Sequence, residues 1–143
     1  MINEKLIKEK AYLLSLKVVQ FVQNAEKKGL KNDLLNEFLV KGTRIGAVLH
    51  RESISVSRKD FFKGLSDALA LINDLFAVMQ KMRDENILSS AELKSFFDDV
   101  RYLNTIIYYM YQELIDEFID KSSKNRPKFI HIEFTGVISI KRH

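Results

Sequence analysis

Helix breakers are almost missing from this chain: one proline, Pro127, and five glycines punctuate 143 residues. Between them, apolar side chains return at the three- and four-residue spacing of a helix face rather than the alternation of a strand. A first segment, about Asn3 to Lys28, places Leu6, Leu13, Leu14, Val18, Phe21, Val22 and Ala25 near that spacing. Lys27 and Lys28 make a basic last turn and Gly29 stops it. A second, about Asn32 to Glu52, carries Leu34, Leu35, Phe38, Leu39, Ile45, Val48 and Leu49, with Asn32 or Asp33 able to cap its start. The third begins at Ser57-Arg58-Lys59-Asp60, a cap pattern, and runs through Phe61, Leu65, Leu69, Ile72 and Met79 until Asp84-Glu85-Asn86 breaks it. The fourth opens on Ser89-Ser90-Ala91-Glu92, a capping box, and continues through Phe96, Val100, Leu103, Ile107, Leu114 and Phe118. Four long amphipathic helices on short turns predict an all-α fold, an antiparallel up-down four-helix bundle over residues 1–121.

Residues 122–143 follow a different pattern. Ser122 to Lys128 is polar and basic and holds the proline, so it reads as a linker. Phe129-Ile130-His131-Ile132-Glu133-Phe134 alternates apolar and polar, and Val137 to Ile140 can return after Thr135-Gly136. That predicts a C-terminal β-strand or hairpin tail. A lone hairpin is marginal in water, so the tail is expected to form an interface.

Composition removes several chemistries. There is no cysteine, hence no disulfide, thiol nucleophile or thiolate metal site. No apolar run approaches the roughly 20 residues of a membrane span and no signal peptide is apparent, so a cytoplasmic protein with no membrane partner is expected. The net charge of +4 conceals a division. Residues 1–63 carry 13 Lys+Arg and 7 Asp+Glu, residues 64–120 carry 4 and 11, and residues 121–143 carry 6 and 1. The chain is basic, acidic, then basic, which marks candidate polyanion contacts and equally allows helices of one bundle to neutralise one another.

One stretch carries more specific information. Lys41-Gly42-Thr43-Arg44-Ile45-Gly46-Ala47 puts two glycines four apart on one helix face. Each costs about 1 kcal/mol of helix stability relative to Ala, so the pair needs a reason: close approach of another helix or of a polyanion's backbone. Thr43 can bond back to a carbonyl one turn earlier. Downstream lies Ser57-Arg58-Lys59-Asp60-Phe61-Phe62-Lys63. Together these resemble the bacterial four-helix-bundle family first noted as proteins encoded by intervening sequences in 23S ribosomal RNA genes. Gly42, Thr43, Ile45, Gly46 and Ala47 match its first motif, and Ser57, Asp60, Phe61 and Lys63 its second. Arg44, Val48 and Arg51-Glu52 depart from it, and the strand-like tail lies outside it. The resemblance covers about residues 3–120 and implies a bundle that self-associates, often as a pentamer, without catalytic activity. A similar bundle, the accessory variability protein of diversity-generating retroelements, implies binding to nucleic acid and to a reverse transcriptase.

The residues themselves place a candidate nucleic-acid site at Lys41, Arg44, Arg51, Arg58, Lys59 and Lys63, around the turn between the second and third helices. The tail cations Lys124, Arg126 and Lys128 can extend it. Such contacts give salt-dependent, sequence-tolerant binding to RNA or DNA, and repetition in a homo-oligomer adds avidity. The blander reading is a set of solvated side chains partly paired with the acidic helices.

Arg44 and His50 have an R-x5-H spacing that is similar to the ribonuclease motif of the HEPN superfamily. Six residues put them roughly 120° apart around one helix, however, and Ile45 stands where that motif has a polar residue. The carboxylates Glu113, Asp116, Glu117 and Asp120 form a row on one helix, without the Glu-x-x-His motifs and facing carboxylates that a di-metal bundle uses. No metal, cofactor or catalytic residue is therefore expected. Tyr12, Tyr102, Tyr108, Tyr109 and Tyr111 fit amphipathic packing better than a base-stacking platform. The expected function is a non-enzymatic adaptor that binds nucleic acid and a protein partner such as a reverse transcriptase. The alternatives are a protein–protein scaffold without a nucleic-acid role and an R-x5-H ribonuclease.

Overall fold

The computed structural model describes residues 3–122, with side chains placed to residue 120. They form four helices: α1 (Glu4–Lys27), α2 (Asp33–His50), α3 (Arg58–Asp84) and α4 (Ser90–Ser122). The fold is the all-α, up-down four-helix bundle that the apolar spacing predicts. The expected C-terminal strand or hairpin, and the tail cations with it, lie outside the described residues.

The boundaries follow from capping chemistry. Asn3, Asn32 and Ser57 sit in extended backbone at the starts of α1, α2 and α3. Each accepts a hydrogen bond from an otherwise unpaired amide, those of Leu6, Leu34 and Asp60 respectively. At the start of α4, Glu92 accepts from the Ser89 amide at 2.9 Å while the Ser89 hydroxyl oxygen accepts from the Glu92 amide at 3.1 Å. This is the reciprocal capping box the sequence announces. Gly29 ends α1 in the left-handed region, at φ 84°. After α3 the same conformation falls to Asn86, at φ 61°, one of the few side chains that tolerate it.

The chain divides into two compact units, Met1–Tyr111 and Gln112–His143, so that α4 crosses the boundary. In the first unit α1 packs against α2, and α2 against α3. Contacts of α4 with α1 and α3 complete the square. Lys17 on α1 donates to Asp99 at 2.6 Å, and the Phe76 and Phe97 rings lie 4.8 Å apart. Phe21, Phe38 and Phe96 meet edge to face at 5.1–5.9 Å, joining α1, α2 and α4 near one end of the bundle. The core between is closed by Ile7, Ile45, Leu65, Ile72, Leu75, Leu103 and Ile107, all fully buried or nearly so. In the second unit, the described part of α4 buries Leu114 and Ile115 and exposes Glu113.

Candidate nucleic-acid interface

The glycine pair has a structural answer. Gly42 and Gly46 are buried and face α1. A Cβ on Gly42 would stand 2.9 Å from a Val18 methyl, and one on Gly46 would stand 3.1 Å from the Ser15 hydroxyl. Ser15 completes the seam by donating to the Ala11 carbonyl at 3.0 Å, with the Gly42 carbonyl 3.4 Å away. Of the two partners the spacing allows, it is a neighbouring helix of the same bundle that fills the approach, so these glycines are closed to a polyanion. Thr43 does bond back, to the Leu39 carbonyl at 2.7 Å. Gly64 on α3, which sequence reasoning passed over, plays the corresponding part on the other side. A Cβ there would lie 3.2 Å from the Val48 carbonyl oxygen of α2. The signal was available: Gly64 is a third glycine in an otherwise strong helical run.

These seams fix the end of α2 against the start of α3 and set the corner that carries most of the candidate cations. The connection 51–57 is held from a third side by α1. Glu4 accepts from the Ile54 amide at 2.9 Å, and Lys8 donates to the Glu52 carbonyl at 2.8 Å while pairing with Glu4 at 2.8 Å. Burial pushes the Glu4 carboxyl up, but the hydrogen bonds from Lys8 and Ile54 outweigh it and hold the group below its ordinary value. Nothing in the spacing of Glu4 and Lys8 had marked them as a latch for a loop some 45 residues away.

On this corner the predicted residues have different fates. Arg44, Arg51, Lys59 and Lys63 are exposed, and none forms an ion pair with another described residue. Arg58 is also exposed. Lys41 is half buried and turns toward α3, where its ammonium lies 3.7 Å from Asp74. It belongs to the helix packing more than to the corner. Lys124, Arg126 and Lys128 lie outside the described residues.

The corner is not uniformly basic. A recess of about 200 Å³ between α2 and α3 is lined by Arg51 and Lys63 together with Glu52, Asp60 and Asp67. Arg51 and Lys63 thus share the recess with three carboxylates, whereas Arg44 and Lys59 stand outside it.

The groups considered for catalysis are dispersed. The His50 ring nitrogen Nδ1 lies 2.8 Å from the Gly46 carbonyl oxygen and, facing an acceptor, donates to it. The imidazole is thus turned back along its own helix while Arg44 points outward. Tyr111 packs on Phe62 with ring centroids 4.4 Å apart. Burial pushes its hydroxyl up, partly countered by a hydrogen bond with Ser66. Tyr102 lies under the Lys10 ammonium at 5.8 Å. Tyr111 is thus taken up in packing on α3 and Tyr102 in a contact with α1, while the Tyr108 and Tyr109 rings lie 6.1 Å apart. Among the described residues no group of acidic and histidine side chains is arranged to hold a metal ion, and no helix is long and apolar enough to cross a membrane.

No family model matches the chain, and no curated protein matches it in sequence. Among solved structures, it superposes on the crystal structure of a protein of unknown function from the S23 ribosomal protein family of Bacteroides thetaiotaomicron. The TM-score is 0.72 at 18% identity, over 76% of this chain and 97% of that one. At this identity the likeness speaks for the fold: the chain has the helical architecture of a bacterial S23-family protein.

Proposed function

We propose that this protein is a non-catalytic, self-associating adaptor whose α2–α3 corner binds the phosphate backbone of RNA or DNA. The observation that carries this reading is the set of exposed cations without ion-pair partners, Arg44, Arg51, Lys59 and Lys63, on a corner held rigid by three helices. The amides at the start of α3 add a favourable partial charge beside Lys59. Carboxylates in the adjacent recess keep the single-subunit contact weak, and repetition of the rim in an oligomer compensates through avidity. The family resemblance of the Gly42–Ala47 and Ser57–Lys63 motifs adds a protein partner such as a reverse transcriptase or an RNA-processing enzyme.

The test is fluorescence anisotropy with labelled single-stranded RNA and duplex DNA across a salt series. Affinity is expected to fall steeply with salt, and Arg51→Glu with Lys59→Glu to weaken it at least about tenfold with circular dichroism unchanged. Salt-independent binding, or a double variant that binds like wild type, would overturn the assignment. Incubating RNA with wild type and with His50→Ala addresses the ribonuclease alternative. A non-catalytic adaptor leaves the RNA intact in both incubations.

A second reading, a protein–protein scaffold, is favoured by exposed apolar side chains on α1 (Tyr12, Leu13, Leu16) and α4 (Tyr102, Tyr109). It expects negligible nucleic-acid affinity at any salt and loss of a protein complex on deletion of residues 129–143.

A further inference from the structure

At the pole of the first unit opposite the α2–α3 corner lies an open concavity of about 860 Å³. The last turns of α1, the α1–α2 connection, the first turns of α2 and the end of α3 form it. Four carboxylates line it, Glu26, Asp33, Glu37 and Glu85, against one lysine, Lys31. Asn32 ties its two sides together by donating to Glu85 at 3.2 Å. Beneath the acids lies an apolar floor. Leu34 and Leu35 are buried there, and Leu30 forms a lip that stays 37% exposed.

An acidic wall over an apolar floor suits an extended segment that offers cations and large apolar side chains together. Residues past α4 supply such a segment, with three cations ahead of a run of large apolar side chains. Residues 124–134 read Lys-Asn-Arg-Pro-Lys-Phe-Ile-His-Ile-Glu-Phe, placing Lys124, Arg126 and Lys128 directly before Phe129 and Ile130. We propose that the concavity receives residues 124–134 of a second copy of this chain, with Arg126 and Lys128 against the carboxylates and Phe129 against Leu30.

Chain length favours the second copy over the same one. α4 begins beside Glu85, at the pole of the concavity, and by Tyr111 it has reached Phe62 at the start of α3, on the opposite pole. That run of 21 residues is about 32 Å of helix. α4 continues for eleven residues past Tyr111 and a single residue, Ser123, separates it from Lys124, so the cations of the same chain lack the length to return over that distance. A tail reaching the next molecule keeps them free for the acids. The contact is heterologous, joining unlike surfaces, so it propagates from copy to copy and closes into a ring or continues as a filament. It does not depend on nucleic-acid binding at the corner, and either reading can fail alone.

The absence of cysteine allows a direct test on the full-length chain. Glu37→Cys and Lys128→Cys variants, distinguished by mass and mixed under mild oxidation, are expected to form a disulfide-linked dimer of one of each. Its formation should be at least about tenfold faster than for Asp74→Cys mixed with Lys128→Cys, since Asp74 lies outside the concavity. Equal rates in the two mixtures would overturn the proposal. So would a chain carrying both Glu37→Cys and Lys128→Cys that closes on itself as a monomer instead of forming covalent multimers. Light scattering gives a second reading. Glu37→Lys with Glu85→Lys, and Arg126→Glu with Lys128→Glu, should each lower the assembled mass, and all four changes in one chain should restore it. Masses unchanged by either pair, or loss without restoration in helical protein, would sink the tail–concavity contact.

Discussion

At the residue scale, three glycines have different neighbours and therefore different expected costs. At Gly42 an added methyl meets the β-branched Val18, which has little rotamer freedom. At Gly64 it meets a backbone carbonyl, which cannot yield without moving α2. Gly42→Ala and Gly64→Ala are each expected to cost about 1–3 kcal/mol in denaturant unfolding despite better helix propensity. Gly46→Ala meets a serine hydroxyl closely and the Ala11 backbone only at ordinary contact distance, so strain and propensity should nearly cancel, and Val18→Ala should recover part of the loss in Gly42→Ala. Glu4 makes a pH prediction. Its carboxyl is held below the ordinary 4.5, so the folded protein binds its proton less readily than the unfolded chain. The stabilisation is complete above that value and is lost as pH falls through the lowered folded value. Thermal melts of wild type and Glu4→Gln should differ at neutral pH and converge in acid. The glycine spacing was legible because Gly42 and Gly46 interrupt an otherwise good helix. The Glu4–Lys8 latch was not, because an i,i+4 ion pair looks alike whether or not a distant loop docks on it.

Elements were the most legible scale, and capping explains why. A cap is local: Asn32, Ser57 and the Ser89–Glu92 box need only their own first turn, so sequence and structure coincide there to within a residue. Ser89→Ala is expected to cost about 1 kcal/mol, measured by urea unfolding. The Phe21–Phe38–Phe96 cluster is the opposite case, since its three rings come from three helices and no spacing within one helix announces their meeting. Phe96→Ala should cost about 3–5 kcal/mol in the same measurement, far more than any cap. The candidate cations divide by the same logic. Helical position puts Lys41 and Arg44 side by side, three residues apart, and only the neighbouring helix shows that Asp74 meets Lys41 while Arg44 stays exposed.

On the scale of the whole molecule, charge is arranged differently from its order along the chain, although the corner recess holds acids as well as cations. Rim cations gather at the α2–α3 corner, and carboxylates gather in the concavity at the other end. Sequence sums recorded the imbalance but placed the acids in residues 64–120, whereas three of the four around the concavity belong to α1 and α2. Helix reversal brings them to Glu85, and no linear count registers that. The glycine seams bear on how this protein can change over generations. With one side of α2 against α1 and another against α3, its outward ribbon is reduced to Asp33, Asn36, Glu37, Val40, Arg44, Ala47 and His50. Saturation mutagenesis should find tolerance confined to that ribbon and intolerance on either side. Heritable variation in how this helix meets other molecules is thereby channelled into seven positions, with acids at one end and a basic group near the other.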